Sequence, residues 1–360
     1  MKTPQTLRVS TPGRVCLFGE HQDYLLLPVV PCAISLRVSI EGKKREGRMA
    51  VLHLPDIGSR ESFSLESPLP YGKERDYLRS SVNVLLRHGY SFSCGVECVV
   101  HGTIPINSGT SSSSALIVTW INFLTRVSDQ ERQLGAKEIA ALAHEAEVLE
   151  FGEPGGMMDH YSTAYGGVLA IDFAPSIEVE RIDVTPGTFV LGDSREPKDT
   201  TTILARVKMG VLNTSRKIAE SHPEFSLHTA THDDIDRLAG SLPADQVKLL
   251  HGTLRNRDFT KEARALLARQ PLDHRRLGDL LNEHHAVLRD VQQISTPKIE
   301  RMMKAALHAG ANGGKINGSG GGGCMFVYAP EEPDRVAAAI EKEKRKAFVV
   351  RVDEETRVEE

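Results

Sequence analysis

Residues 105–118 read Pro-Ile-Asn-Ser-Gly-Thr-Ser-Ser-Ser-Ser-Ala-Leu-Ile-Val. Small hydroxyl residues crowd around a single glycine, and the chain turns abruptly apolar at Ala115. Leu116, Ile117, Trp120, Ile121 and Leu124 then recur at helical spacing, which predicts a helix beginning near the serine run. The first N–H groups of a helix lack backbone partners and sit at the positive end of its dipole, so this stretch can bind an anion. Its hydroxyls add donors for phosphate oxygens. The competing reading is a polar loop whose serine simply caps a core helix.

Moving outward, the upstream residues Leu7, Val9, Val15, Cys16, Leu17 and Phe18 read as strands broken by a turn at Pro12-Gly13. Gly19-Glu20-His21-Gln22-Asp23-Tyr24 follows at once. Two acids and an imidazole at the end of an apolar strand suit a ligand site, with a solvated turn as the alternative. Residues 29–40 resume strand character, and 42–48 read as a charged hairpin tip.

Downstream, residues 137–151 predict a helix with Ile139, Leu142, Ala143, Ala146 and Leu149 on one face and Glu147 near its end. Glycines at 152, 155 and 156 break it, and Asp159 follows, placed either as an accessible carboxylate or as another cap. A soft domain boundary falls after Pro175, dividing the chain into 1–175 and 176–360. Helices are predicted over 201–213, 233–254, 260–269, 275–290 and 296–309, and strands over 325–328 and 348–352. Between the last helix and these strands, the run 313–324 holds four consecutive glycines, which permit close backbone approach or form a flexible turn.

A length of 360 residues, a hydrophobic fraction of 40% and a charged fraction of 26% are those of an ordinary globular chain. A net charge of −4 gives no reason to expect nucleic acid or an anionic membrane as a partner. Residues 1–8 lack the apolar core of a signal peptide, and the apolar run 24–34 is too short to span a bilayer. The cysteines at 16, 32, 94, 98 and 324 are scattered, as expected for reduced thiols of a cytoplasmic protein, and do not form a zinc motif.

Neither a Gly-Lys-Ser/Thr phosphate loop nor a dinucleotide Gly-x-Gly-x-x-Gly after a first strand is present. Phosphoryl transfer needs backbone donors around phosphates, a metal held by carboxylate and hydroxyl, and a group that orients the acceptor. Each has a candidate here. Residues 12–24, Pro-Gly-Arg-Val-Cys-Leu-Phe-Gly-Glu-His-Gln-Asp-Tyr, resemble the first motif of the GHMP kinases, and within them of the galactokinases. Residues 105–115 resemble the family's phosphate-binding motif, 155–160 the segment with its catalytic Asp, and 315–324 its third motif.

The resemblance implies a two-domain α+β fold with the active site in the interdomain cleft. It implies Asp159 as the catalytic base and Arg14 as the cation beside it. Glu20, His21, Asp23 and Asp159 would contact the sugar, and Ser108, Gly109, Thr110, Ser111, Ser112, Ser113 and Ser114 would cradle ATP. Glu147 and Ser113 would hold Mg²⁺, while Gly318, Gly320, Gly321 and Gly322 would pack against the phosphate loop and close the site. The chain departs from the galactokinase pattern at Thr110, Gly322, Lys315, Gln22 and 25–27. Asp23-Tyr24 argues against the mevalonate kinases, whose first motif is apolar after Glu-His. The implied activity is ATP-dependent phosphorylation of a monosaccharide at its anomeric hydroxyl, galactose first, by a monomer or weak homodimer. The alternatives are a kinase for arabinose, fucose, a heptose or a uronic acid, a sugar- and ATP-sensing regulator on the same scaffold, and an isoprenoid or amino-acid kinase.

Overall fold

The computed structural model describes residues 6–66, 68–197, 200–343 and 345–359; residues 1–5 of the amino-terminal stretch read above lie outside them. In chain order the strands are β1 (Leu7–Phe18), β2 (Val30–Arg45), β3 (Met49–Leu54), β4 (Ser59–Ser64), β5 (Gly95–Gly102), β6 (Val168–Asp172), β7 (Glu178–Ile182), β8 (Thr188–Asp193), β9 (Gly313–Ile316), β10 (Cys324–Tyr328), β11 (Lys346–Arg351) and β12 (Arg357–Glu359). The helices are α1 (Tyr77–Arg87), α2 (Ser112–Val127), α3 (Ala136–His144), α4 (Met158–Tyr165), α5 (Thr200–Ala219), α6 (His232–Leu238), α7 (Ala244–Leu267), α8 (His274–Asp290), α9 (Pro297–His308) and α10 (Pro333–Lys342).

Two sheets organise them. The larger runs β12-β1-β2-β5-β3-β4, with β6 paired to β2 and β7 to β6; the smaller runs β11-β8-β10-β9, antiparallel throughout. The larger sheet continues through Glu178–Ile182, beyond the boundary expected at Pro175, and takes back the final strand at Arg357–Glu359. No helix among the described residues is long and apolar enough to cross a membrane.

β1 is the strand that both halves share. It is buried on both faces, which is why its sequence is apolar without clean alternation. Cys16 turns into the core formed with α2, while Val15 and Leu17 turn toward Phe259 and Ala263 of α7 and Leu277, Leu280 and Leu281 of α8. The break expected at Pro12-Gly13 is a register shift within one continuous strand. The shift brings Gly13 under the 105–114 loop, where a Cβ would stand 2.9 Å from the Thr110 carbonyl oxygen. Only a glycine tolerates that approach.

Other expectations are corrected by pairing. The charged tip at 42–48 is mostly strand, because residues 42–45 pair with β5 and the turn is confined to 46–48. The helix expected over 233–254 stops at Leu238, since Pro243 cannot continue it and instead precedes a new start at Ala244. From there α7 runs unbroken through the gap expected at 255–259, with Asn256 and Arg257 buried. The helix expected over 137–151 ends at His144 and widens into a π turn at Glu145–Leu149.

Trp120, the chain's single tryptophan, is fully buried against Phe123 on α2, and its Nε1–H donates to the Leu78 carbonyl at 3.1 Å. Trp120→Ala removes a large side chain and strands that carbonyl, so stability should fall by about 3–5 kcal/mol, read by circular dichroism in urea.

Candidate active site

α2 begins at Ser112, and the loop before it is coiled by left-handed residues, Asn107 (φ 56°), Gly109 (φ 90°) and Ser111 (φ 58°). Two of these lack the freedom of glycine, so the turn holds backbone strain of roughly 1–3 kcal/mol at each. Three of its carbonyls are claimed by distant parts of the chain. Gly109 accepts from Arg14 Nη1 and from Asn317 Nδ2 at 2.7 Å, Thr110 from the Arg14 N–H at 3.2 Å, and Ser108 from the Cys324 N–H at 2.7 Å. The first N–H groups of α2 are left to face the cavity without helical partners.

That cavity, of about 500 Å³, is lined at this end by Gly109 and Ser111 to Ser114. Ser108 and Thr110 do not line it. Their hydroxyls bond each other at 2.7 Å, and Ser108 also donates to Pro105 O, so both side chains brace the loop from within.

Arg14 Nε and Nη2 both reach Asp159 Oδ1, at 2.8 and 2.6 Å, which leaves Oδ2 outside the ion pair. The side chain of Arg14 is 4% exposed and that of Asp159 32%, so the carboxylate faces the cavity with the guanidinium behind it. Burial alone would push the Asp159 carboxyl up; the Arg14 charge and hydrogen bonds outweigh it and hold it below the ordinary carboxylate range.

The 19–24 turn forms the opposite wall. Glu20 is not free: its Oε2 accepts from Lys315 Nζ at 2.6 Å, with both side chains essentially inaccessible. Lys315 also donates to Cys16 O at 2.8 Å. His21 is engaged at both ring nitrogens, Nδ1 with Tyr24 Oη at 2.8 Å and Nε2 with Ser319 O at 3.2 Å. Asp23 accepts from the N–H of Tyr24 at 2.9 Å and of Met158 at 3.2 Å. Gly156 is required beside it, because a Cβ there would overlap Asp23 Oδ2. Burial, and then the nearby Asp159 charge, push the Asp23 carboxyl up to about 6.

Glu147 lies on the π turn and lines the same cavity as Ser113, with Oε2 on His160 Nε2 at 2.7 Å. Of the glycine loop, only Gly318 with its neighbour Ser319 reaches the cavity. The Gly321 N–H donates to Ile294 O, and a Cβ on Gly322 would press on Glu196 and Pro197, so these glycines pack against those residues rather than the 105–114 loop. The contact with the 105–114 loop is made by Asn317 and Cys324. Sequence reasoning passed over Asn317, which also accepts from the Cys16 N–H at 2.9 Å. Its one signal was a lone carboxamide in a glycine run. Tyr24, Arg75 and Tyr77 line the cavity as well.

The two flanks of this arrangement match known sequence families. Residues 76–167 match the GHMP kinases N terminal domain and 263–346 the GHMP kinases C terminal. A mevalonate kinase of Thermococcus sibiricus is 30% identical over 342 residues, covering 92% of this chain and 91% of that one. The chain belongs to the GHMP kinase family. Residues 2–44 of this GHMP kinase further match a galactokinase galactose-binding signature. A galactokinase of Actinobacillus succinogenes is 29% identical over 352 residues, 92% of this chain and 87% of its own. In fold, the Lactococcus lactis galactokinase solved with galactose superposes with a TM-score of 0.83 at 19% identity, covering 98% of this chain and 95% of that one. The expected two-domain α+β GHMP kinase fold is the one found, with the cavity bounded by β1, α2 and the β9–β10 loop.

Lys315→Met in this kinase leaves Glu20 charged and buried without its partner, which should cost about 3–5 kcal/mol. Urea unfolding should show that loss, and Glu20→Gln added to Lys315→Met should recover part of it.

Proposed function

We propose that this protein is an ATP-dependent monosaccharide kinase acting on the anomeric hydroxyl, with galactose as its first substrate. The observation that carries this reading is the Arg14–Asp159 pair, set in a cavity beside the partnerless start of a serine-lined helix. The galactose-binding signature over residues 2–44 supports the choice of sugar. The reaction is placed in the cytoplasm, where ATP is supplied, and the enzyme acts as a monomer or weak homodimer.

The nucleotide's phosphates rest on the N–H groups and hydroxyls of residues 111–114, which neutralise charge without moving. The sugar hydroxyl lies against Asp159 Oδ2, the oxygen outside the ion pair. A carboxylate held ionised is a weak base, but phosphoryl transfer through a loose transition state asks for orientation first and a proton acceptor late. Asp159 supplies both. Arg14 keeps it charged and adds positive charge beside the transferring group.

Glu147 and Ser113 form an all-oxygen pair suited to Mg²⁺, a hard ion that takes few protein ligands and completes its shell with phosphates and water. When bound, Mg²⁺ would supply charge neutralisation at the phosphates.

The mevalonate kinase relatives raise a second reading, phosphorylation of mevalonate. Mevalonate is itself a carboxylate, and Asp23 and Asp159 face this cavity as negative charges at neutral pH, which opposes it. Measuring ADP release with ATP and a panel of monosaccharides, mevalonate and homoserine tests the proposal. Turnover of galactose or another sugar is expected; turnover of mevalonate alone, or sugar and ATP binding without ADP, overturns it.

Asp159→Asn should lower kcat by roughly 10²-fold or more while ATP affinity changes little, measured by steady-state kinetics and calorimetry. A wild-type kcat would remove Asp159 from the chemistry. The raised Asp23 carboxyl sets the pH response: it is ionised above about pH 6 and protonates below, so kcat/KM for the sugar should fall as pH drops through 6. That inflection should vanish in Asp23→Asn.

A further inference from the structure

His21 stands where the galactokinase-like motif leads one to expect a sugar contact, yet both of its ring nitrogens are used by the protein. The partners fix where the hydrogens lie. A backbone carbonyl only accepts, so Nε2 carries the N–H that bonds Ser319 O. Burial lowers the His21 pKa to about 4, so the ring is neutral and Nδ1 offers a lone pair. Tyr24 must therefore donate its hydroxyl hydrogen to Nδ1. Its oxygen keeps only lone pairs for anything else.

The assembly is held rigidly. His21 sits in the left-handed region at φ 63°, a conformation that persists only when its surroundings enforce it. Lys208 on α5 covers the Tyr24 ring at 5.3 Å and anchors to Pro154 O at 3.0 Å. Tyr24, His21, Asp23 and Asp159 all line the same cavity. Ionised Asp23 accepts only, and so does the oxygen of Tyr24. These neighbouring groups thus present acceptors, which a compound with adjacent hydroxyls can satisfy as donor.

We infer that Tyr24 is a specificity-determining residue of this site, accepting a hydrogen bond from one hydroxyl of a neutral sugar, and that His21 is the positioning residue that fixes Tyr24 as an acceptor. The inference rests on the sugar-kinase reading and names the substrate property that the cavity selects.

The test is a set of kcat/KM values for galactose, or the sugar that ADP release selects, and its deoxy and deoxyfluoro analogues at each position. In the wild type, the position facing Tyr24, like those facing Asp23 and Asp159, should lose roughly 10- to 100-fold with either hydrogen or fluorine in place of hydroxyl, because neither can donate. In Tyr24→Phe, which keeps the ring, that discrimination should collapse at this position alone. His21→Leu frees the phenol hydrogen, so the deoxyfluoro analogue should gain relative to the deoxy analogue. Sugar turnover with the wild-type discrimination pattern retained in Tyr24→Phe overturns the inference and leaves the kinase reading intact. Absence of ADP with every sugar overturns both. Thermal melts establish that each variant folds; if His21→Leu does not, the Tyr24→Phe comparison still decides.

Discussion

A guanidinium taken almost wholly out of water must be satisfied from every side, and the site is arranged around that demand at Arg14. Its side chain bonds Asp159 from the α4 start and Gly109 from the 105–114 loop, while its own N–H reaches Thr110. Segments 95 and 145 residues away are thereby fixed to one strand. The same contacts that pin the loop also hold the carboxylate charged. Structure and chemistry share one set of bonds.

A second buried pair performs the equivalent task for the other half of the chain. Lys315 and Glu20 join β9 to the turn after β1, and Asn317 follows with bonds to Cys16 and Gly109. Both arms act on the first strand, which explains why β1 lies in two cores at once. Such ion pairs give little net stability once desolvation is counted. Their value here is register: each is satisfied only when both halves meet in one arrangement.

Much of this was legible in the residues. The α2 start, the strand-then-polar-cluster at 19–24, and Asp159 after its glycines all stand where local chemistry placed them. What escaped reading was long-range. Pro12-Gly13 looks like a turn because local rules cannot see that Thr110 crosses there. Glu20 and His21 look free because the partners that occupy them, Lys315 and Ser319, lie nearly 300 residues on. Ser108 and Thr110 read as phosphate ligands alongside their neighbours, yet alternate loop residues turn inward to brace it. The family resemblance places Gly320 to Gly322 against the 105–114 loop, whereas what they touch is set by the fold around Ile294 and Glu196.

Catalysis as proposed requires that Asp159 and the α2 start act on the same phosphoryl group. The structure of the protein with galactose and a non-hydrolysable ATP analogue tests it most directly. The predicted result is a γ-phosphate on the N–H groups of residues 111–114, with the sugar's anomeric hydroxyl on Asp159 Oδ2 and Arg14 still on Oδ1. Phosphates bound away from that helix start, or a sugar that leaves Asp159 untouched, would contradict it.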